Sequence, residues 1–444
     1  MHSTEVNALI KAGLVHEVHT SERRSYRGCR RRWWWVFQEF YYPQVTAKPL
    51  EFGVAFHNGM EVLYDPSTWA MTKHEAGREI VLQSAIAKFV EVCEAQRKKF
   101  GEVNPNGMTD EAREDYDERV LLGKGMLNYY WKELAPEWDE HFTPEKVEVS
   151  FMVPIQSPDT GEYLFCHCNR CWKTYCAHID AKEEQQYIDH AAEGALPWIP
   201  LDQQPGEREL WEREHPGLIV CLAGRLDMLV RDKYGHYWIV DWKTAARLAR
   251  GDASGQDRDE FLELDDQIGS YVMALRRKLG LNVRGFIYVE LKKAFPEEPA
   301  RNKVIRLGRS YSVNANQAVD YETYKKCVAE NDTEAYEAGL YDEFLTYLKE
   351  GGVNFHGRYQ IMKTDEELEE IERGLFMEAS EMTSPTTLIY PSPGRFSCGF
   401  CAFRQPCLEK YRQGDYQYML DTLYEKREKH YWVKELSTDK QGGE

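Results

Sequence analysis

The chain has 444 residues, 42% hydrophobic and 29% charged, a globular composition able to bury the core of one elaborated domain or of two to three smaller ones. Acidic residues outnumber basic ones by 74 to 56, a formal charge of −18. That balance argues against a polyanion bound over the whole surface, yet an acidic body can carry a basic groove, and carboxylates that hold divalent ions add negative charge of their own.

The N-terminal stretch MHSTEVNALIKAGLVHEVHT lacks the basic start and apolar run of a secretory signal, and no run of about 18 apolar residues offers a membrane span. A cytoplasmic site is therefore expected. There the eleven cysteines would stay reduced, and their clustering points to metal or cluster ligation. Residues 1–145 read mainly as a helical lobe: a Trp- and Tyr-rich stretch from Cys29 to Tyr42, then FGVAFHNGMEVLY, then amphipathic runs from Lys73 to Phe100 and Glu111 to Leu134. A core is expected over 146–300. It opens with the strand KVEVSFMVPI and is interrupted by an irregular insert over 156–216, rich in Pro, Gly, Asp and Cys. Two β-rich segments follow, GLIVCLAGRLDMLVRD and HYWIVDWKTA, separated by the turn signal Lys233-Tyr234-Gly235. Asp259 to Leu279 reads as a helix and VRGFIYVELKKA as a further strand, so the order β-β-α-β predicts an α/β core. Residues 301–444 form a second helical lobe that ends in a cysteine-rich segment.

The hairpin geometry follows from spacing. With a three-residue loop centred on Tyr234, residues whose numbers sum to 468 face each other, and Asp227 lies opposite Asp241. Side chains alternate with a period of two, so Lys243 shares the face of Asp241. A two-residue turn would shift the pairing by one. Two carboxylates within reach of one hard cation, with an ammonium beside them, suit Mg²⁺- or Mn²⁺-dependent phosphodiester hydrolysis. The plainer alternative is a surface hairpin carrying an i, i+2 ion pair.

GRLDMLV, then IVDWKTA, then DQIGSYVMAL together resemble the core of the PD-(D/E)XK nuclease superfamily in its RecB-like branch, which includes CRISPR-associated exonucleases. The resemblance implies a restriction-endonuclease-like mixed sheet flanked by helices. It implies that Asp227 and Asp241 bind the metal ion, that the main-chain carbonyl of Trp242 completes its shell, and that Lys243 orients the attacking water and offsets charge developing at phosphorus. Gln267 and Tyr271, an i, i+4 pair on one helix face, match the family's Gln-x-x-x-Tyr and would reach toward the site. Gly53 and His57 match its Gly-x-x-x-His, adding an imidazole from an upstream helix, and Glu148 in KVEVSF matches a glutamate on the strand before the hairpin. Without the resemblance, His57 reads as a packed or surface histidine, and Gln267 and Tyr271 as a surface pair.

FSCGFCAFRQPC places Cys398, Cys401 and Cys407 in a C-x2-C-x5-C pattern suited to thiolate ligation but one donor short of four. RecB-like nucleases with an iron–sulfur cluster, such as the AddB-type, carry one cysteine before the core and three after it. The resemblance thus implies Cys29 as the fourth ligand and a [4Fe-4S] cluster, although four thiolates by themselves also fit zinc. Such a clip would close a loop of nearly the whole chain. Within the insert, CHCNRCWKTYCAH resembles a zinc knuckle, with Cys166, Cys168, Cys171, Cys176 and His178, and also His167, available to hold Zn²⁺.

These features imply a DNA nuclease, an exonuclease directed at single strands or DNA ends, acting in recombination, repair or end processing, as stand-alone relatives do in phages and CRISPR systems. The rival reading is a non-catalytic nucleic-acid-binding or assembly subunit that retains the fold. The presence of Asp227, Asp241, Lys243 and His57 together speaks against it. No G-x-x-x-x-G-K-S/T loop occurs, so a helicase or recombination partner would be a separate polypeptide. Trp33, Trp34 and Trp35 beside Arg30, Arg31 and Arg32 could stack on unpaired bases, but aromatics packed in a core with arginines facing water is the favoured reading for most of them.

Overall fold

The computed structural model describes residues 3–44, 48–104, 107–166, 171, 217–248, 259–350, 355–384 and 386–427. Its strands are β1 (Val15–Val18), β2 (Tyr41–Pro43), β3 (Phe142–Pro154), β4 (Phe165–Cys166), β5 (Leu218–Asp232), β6 (Tyr237–Ala245), β7 (Val283–Lys292), β8 (Arg301–Arg306), β9 (Arg309–Tyr311), β10 (His356–Ile361) and β11 (Tyr424–Lys426). Seven of these build one mixed sheet in the order β1-β5-β6-β7-β10, with β3 and β4 also paired to β5. The β5–β6 and β7–β10 pairs are antiparallel and the β6–β7 pair is parallel. The fold is α/β, a mixed sheet with helices on both faces.

The hairpin has the anticipated register, with Arg231 opposite Tyr237 and Met228 opposite Val240. Asp232 N–H donates to the His236 carbonyl, and Gly235 takes φ +84°, a conformation open to glycine at little cost that closes a three-residue loop. Beyond Met228 and Val240 the two strands part. Strand β5 goes on to pair in parallel with β1, Ile219 to Leu222 against Val15 to Val18, while β6 continues beside β7 as far as Ala245. Asp227 and Asp241 therefore stand at the mouth of a fork in the sheet.

Two apolar cores sandwich the sheet. One joins Leu222, Leu226 and Leu229 of β5 to Ile268, Tyr271 and Val272 of the helix Asp266–Met273 and to Leu368 and Leu375 of the helix Asp365–Thr383. The other joins Met228, Val230, Val240 and Trp242 to Phe52, Phe56 and Met60 of the helix Lys48–Leu63 and to the helices Glu75–Val103 and Asp110–Tyr129. Side chains on a strand alternate faces, yet Leu226 and Leu229 share a core, so β5 exchanges its faces around Asp227. A third, smaller core gathers Tyr311, Tyr324, Tyr341 and Phe344 into a helical excursion between β7 and β10.

The sheet takes strands from outside the span expected to form the core. VHEV, in a stretch that reads as helix, is the buried strand β1, and His356–Ile361 closes the other edge as β10. The expected helix over Asp259–Leu279 is a 3-10 turn (Asp259–Leu264), then Asp266–Met273 capped by the Asp265 side chain, then a wider turn to Lys278. No helix among the described residues is long and apolar enough to cross a membrane.

Candidate active site

The fork brings residues from five elements together. Asp227 of β5 accepts a hydrogen bond from the main-chain N–H of Trp242 on β6 through Oδ2, at 2.8 Å. His57 projects from the helix Lys48–Leu63, which Phe52, Phe56 and Met60 anchor in the second core, and its Nδ1 lies 3.3 Å from the same Asp227 oxygen. Glu148 of β3 sits between Val147 and Val149, which face Met228 and Leu226, and its φ of +52° is left-handed. For a residue other than glycine that conformation costs roughly 1–2 kcal/mol. Here it accompanies a carboxylate turned into the fork and ion-paired with Arg225. One ligand-type atom each from His57, Glu148 and Asp227 lies within 4.8 Å of the others.

Asp241 lies outside that trio but beside it. It is buried to 4% exposure; Lys243 Nζ stands 2.6 Å from Oδ2, and Gln267 Nε2 donates to Oδ1 at 3.0 Å. Gln267 is in place because Asp265 caps the first turn of its helix, accepting the Gln267 N–H at 2.8 Å. Strand β6 thus sends Asp241 and Lys243 to the site. Trp242, between them, packs on the opposite face, its ring 5.4 Å from that of Tyr64.

The electrostatics are set first by burial and then by the pairing of each carboxyl with a cation. Burial pushes the Glu148 carboxyl up to about 7, with Asp227 and Glu61 adding to the effect and Arg225 opposing it. Burial likewise pushes Asp241 up to about 6, Lys243 opposing and Asp227 adding. Burial works against ionisation of Asp227 and His57 too, but each stabilises the other's charge, so Asp227 is held below its ordinary value and His57 above it. Lys243, despite its burial, is held above the usual lysine value by Asp241 and Asp227. A divalent cation fits this set, because it would stabilise the ionised form of buried carboxyls, which are hard oxygen donors set beside an imidazole.

Tyr271 packs on the sheet, its ring 5.0 Å from that of Phe151 and edge-on to it. Burial pushes its hydroxyl up to about 12, Asp241 adding. This packing explains the glycine three residues before Asp227: a Cβ on Gly224 would come within 2.6 Å of the Phe151 ring and 2.9 Å of the Tyr271 ring. Gly53 is under no such constraint, since its Cβ would meet only Thr244 Oγ1, at 3.8 Å. Two residues were not anticipated. Tyr288 and Glu290 of β7 stand beside Asp241 and Lys243 in the parallel register, and both Lys243 and Asp241 act on the Tyr288 hydroxyl. The signal in the sequence was weak: polar residues alternating with Ile287, Val289 and Leu291.

An N-terminal and a C-terminal segment meet apart from the main sheet, β11 pairing with β2 through Tyr424 to Lys426 against Pro43 to Tyr41. Cys401 and Cys407 pack there against Trp35, Phe403 and Tyr424. Cys29 and Cys398 are near enough for their charges to act on Cys401, as is Arg32, and Arg31 Nη1 lies 3.5 Å from Cys407 Sγ. Burial raises the Cys401 thiol above its ordinary value, with Arg32 opposing and the neighbouring Cys29 and Cys398 adding. Trp33 and Trp35 are buried and Trp34 is 37% exposed. In the insert, Cys166 and Cys171 are buried, whereas Cys168, Cys176, His178 and His167 lie outside the described residues.

The model of a family described as the PD-(D/E)XK nuclease superfamily matches residues 20–408, a span that takes in every element of the fork. Among curated proteins, none matches the chain.

Proposed function

The chain belongs to the PD-(D/E)XK nuclease superfamily, whose members are typically metal-dependent nucleases that hydrolyse phosphodiesters, and on that premise we propose that it is a Mg²⁺- or Mn²⁺-dependent deoxyribonuclease, an exonuclease acting on single strands or DNA ends in recombination, repair or end processing. The observation that carries the reading is the fork itself: His57, Glu148 and Asp227 within 4.8 Å of one another, beside the Lys243–Asp241 contact of 2.6 Å. His57, Asp227, Asp241 and the Trp242 carbonyl are the ligands we assign, and Glu148 joins them on its proximity. The cation, when bound, polarises the scissile phosphate and acidifies the attacking water. Lys243, held in its charged form, cannot serve as a base near neutral pH. It orients the water and offsets charge as it builds on phosphorus. Gln267 holds Asp241 in place, and Tyr271 fixes the helix that carries Gln267 against β5.

We assign a [4Fe-4S] cluster to Cys29, Cys398, Cys401 and Cys407, with a structural role. Its support is the charge coupling of Cys29, Cys398 and Cys401 and the place of Cys407 beside Arg31. The reading is tested with end-labelled single-stranded, blunt duplex and circular DNA in Mg²⁺ or Mn²⁺. Degradation of the linear substrates, sparing of the circle, and loss of activity in Asp241→Ala and Lys243→Ala with iron–sulfur absorbance unchanged are expected. An inactive wild-type protein that still binds DNA and retains its cluster would refute it in favour of a binding subunit.

A further inference from the structure

A second group of metal-type donors lies away from the fork. His16 is the second residue of β1, Cys166 ends β4, and Cys171 follows five residues later; their exposures are 3%, 0% and 0%. His16 Nδ1 is 3.0 Å from Cys171 Sγ, and the three donor atoms lie within 4.8 Å of one another. Strands β1 and β4 flank the start of β5 from opposite edges, Ile219 pairing with both Val15 and Phe165, so the sheet itself delivers His16 and Cys166 to one place. The surroundings are apolar, with Leu14, Val18, Ile155, Leu218 and Met382 in the same core as the two cysteines. Cys166 Sγ also reaches the Thr383 carbonyl, at 3.8 Å, and it is the convergence of the three donor atoms that points to a ligand: two thiolates with one imidazole are a soft donor set that suits zinc.

We propose that His16, Cys166 and Cys171 bind a structural Zn²⁺ ion that fastens the insert to the first strand of the sheet. Three protein donors leave one position of a tetrahedral ion to a further ligand. Because the ion fixes the N-terminal strand to a segment about 150 residues away, it restrains the chain as a long-loop crosslink does. The test reads metal and not nuclease activity, so its outcome is separate from that of the fork. Wild-type protein purified without chelator should hold one zinc per chain by elemental analysis, and Cys398→Ser should keep the zinc. Cobalt substitution should give visible bands of tetrahedral thiolate ligation. In competition with a chromogenic chelator, His16→Ala should weaken binding by more than the roughly 10–100-fold that loss of a mere partner of a ligand costs. Should His16→Ala fail to fold, His16→Cys is the measure: it should retain the metal and intensify the cobalt–thiolate absorption. A wild-type protein without zinc and without a cobalt spectrum overturns the proposal. So does zinc held equally by wild type and His16→Ala, or a cobalt spectrum unchanged by His16→Cys.

Discussion

Substitution of Glu148 by glutamine tests the electrostatic account of the fork. In the cation-free protein the Glu148 carboxyl sits at about 7 instead of 4.5, so at pH 6 about nine in ten of these groups carry a proton that a bound cation must expel. His57, held above its ordinary 6.5 by Asp227 despite burial, adds the greater part of a second proton. Asp241, raised to about 6, adds about half a proton, so titration of Mn²⁺ into the wild-type protein at pH 6, in buffers of different ionisation enthalpy, should release rather more than two protons per ion. Glu148→Gln should release about one fewer, and should lose about a tenfold share of the rise in affinity between pH 6 and pH 8. The sign carries over to stability. A carboxyl whose pKa is raised on folding adds stability that is fully present below 4.5 and lost as pH climbs through about 7, here about 3 kcal/mol. Saturating Mn²⁺ should restore it above pH 7, and glutamine should abolish this part of the pH dependence. Proton release that is the same in Glu148→Gln as in wild type would refute the reasoning.

Gly224→Ala should cost about 1–3 kcal/mol in denaturant unfolding, because its Cβ meets the Phe151 and Tyr271 rings at under 3 Å; an unchanged midpoint would mean that the rings yield freely. Trp242→Ala should cost about 3–5 kcal/mol, since a fully buried indole stacked on Tyr64 is lost. Lys243→Met should lower turnover of labelled DNA about 10²–10³-fold while Mn²⁺ still binds, whereas a parallel loss of Mn²⁺ binding would make Lys243 a support of the metal site alone. Thr364→Ala, which removes the hydroxyl that accepts the Glu367 N–H at 3.2 Å in a capping box, should lower stability by about 1 kcal/mol with little effect on the fork.

The hairpin was legible because its determinants are local: a turn glycine, two β-rich strands, and a register that runs from Arg231–Tyr237 to Met228–Val240 and ends one step short of Asp227 and Asp241. His57 was legible only through a motif, since nothing in FGVAFHNGME says which surface that helix meets. Strand β1 was hidden because four residues are too few to show a period, and its two polar members, His16 and Glu17, are both buried. The left-handed backbone at Glu148 has no signature, as glutamate is not a residue that favours it. His16 lay beyond reach because its neighbours in space, Cys166 and Cys171, stand about 150 positions away. The partition of the carboxylates was equally invisible. Spacing makes Asp227 and Asp241 equivalent, and only the three-dimensional surroundings lower the one and raise the other.

Besides the His57 imidazole, the contact that steadies Asp227 comes from the peptide group of residue 242 and not from its indole. Drift at that position can exchange the indole for any other bulky group and still leave the tether intact, since proline alone lacks the hydrogen it uses. Stability and orientation are thereby uncoupled at one residue: replacements at 242 tax the packing behind the sheet while the carboxylate in front keeps its aim. Variants at this position offer a way to soften the scaffold without redirecting the acid.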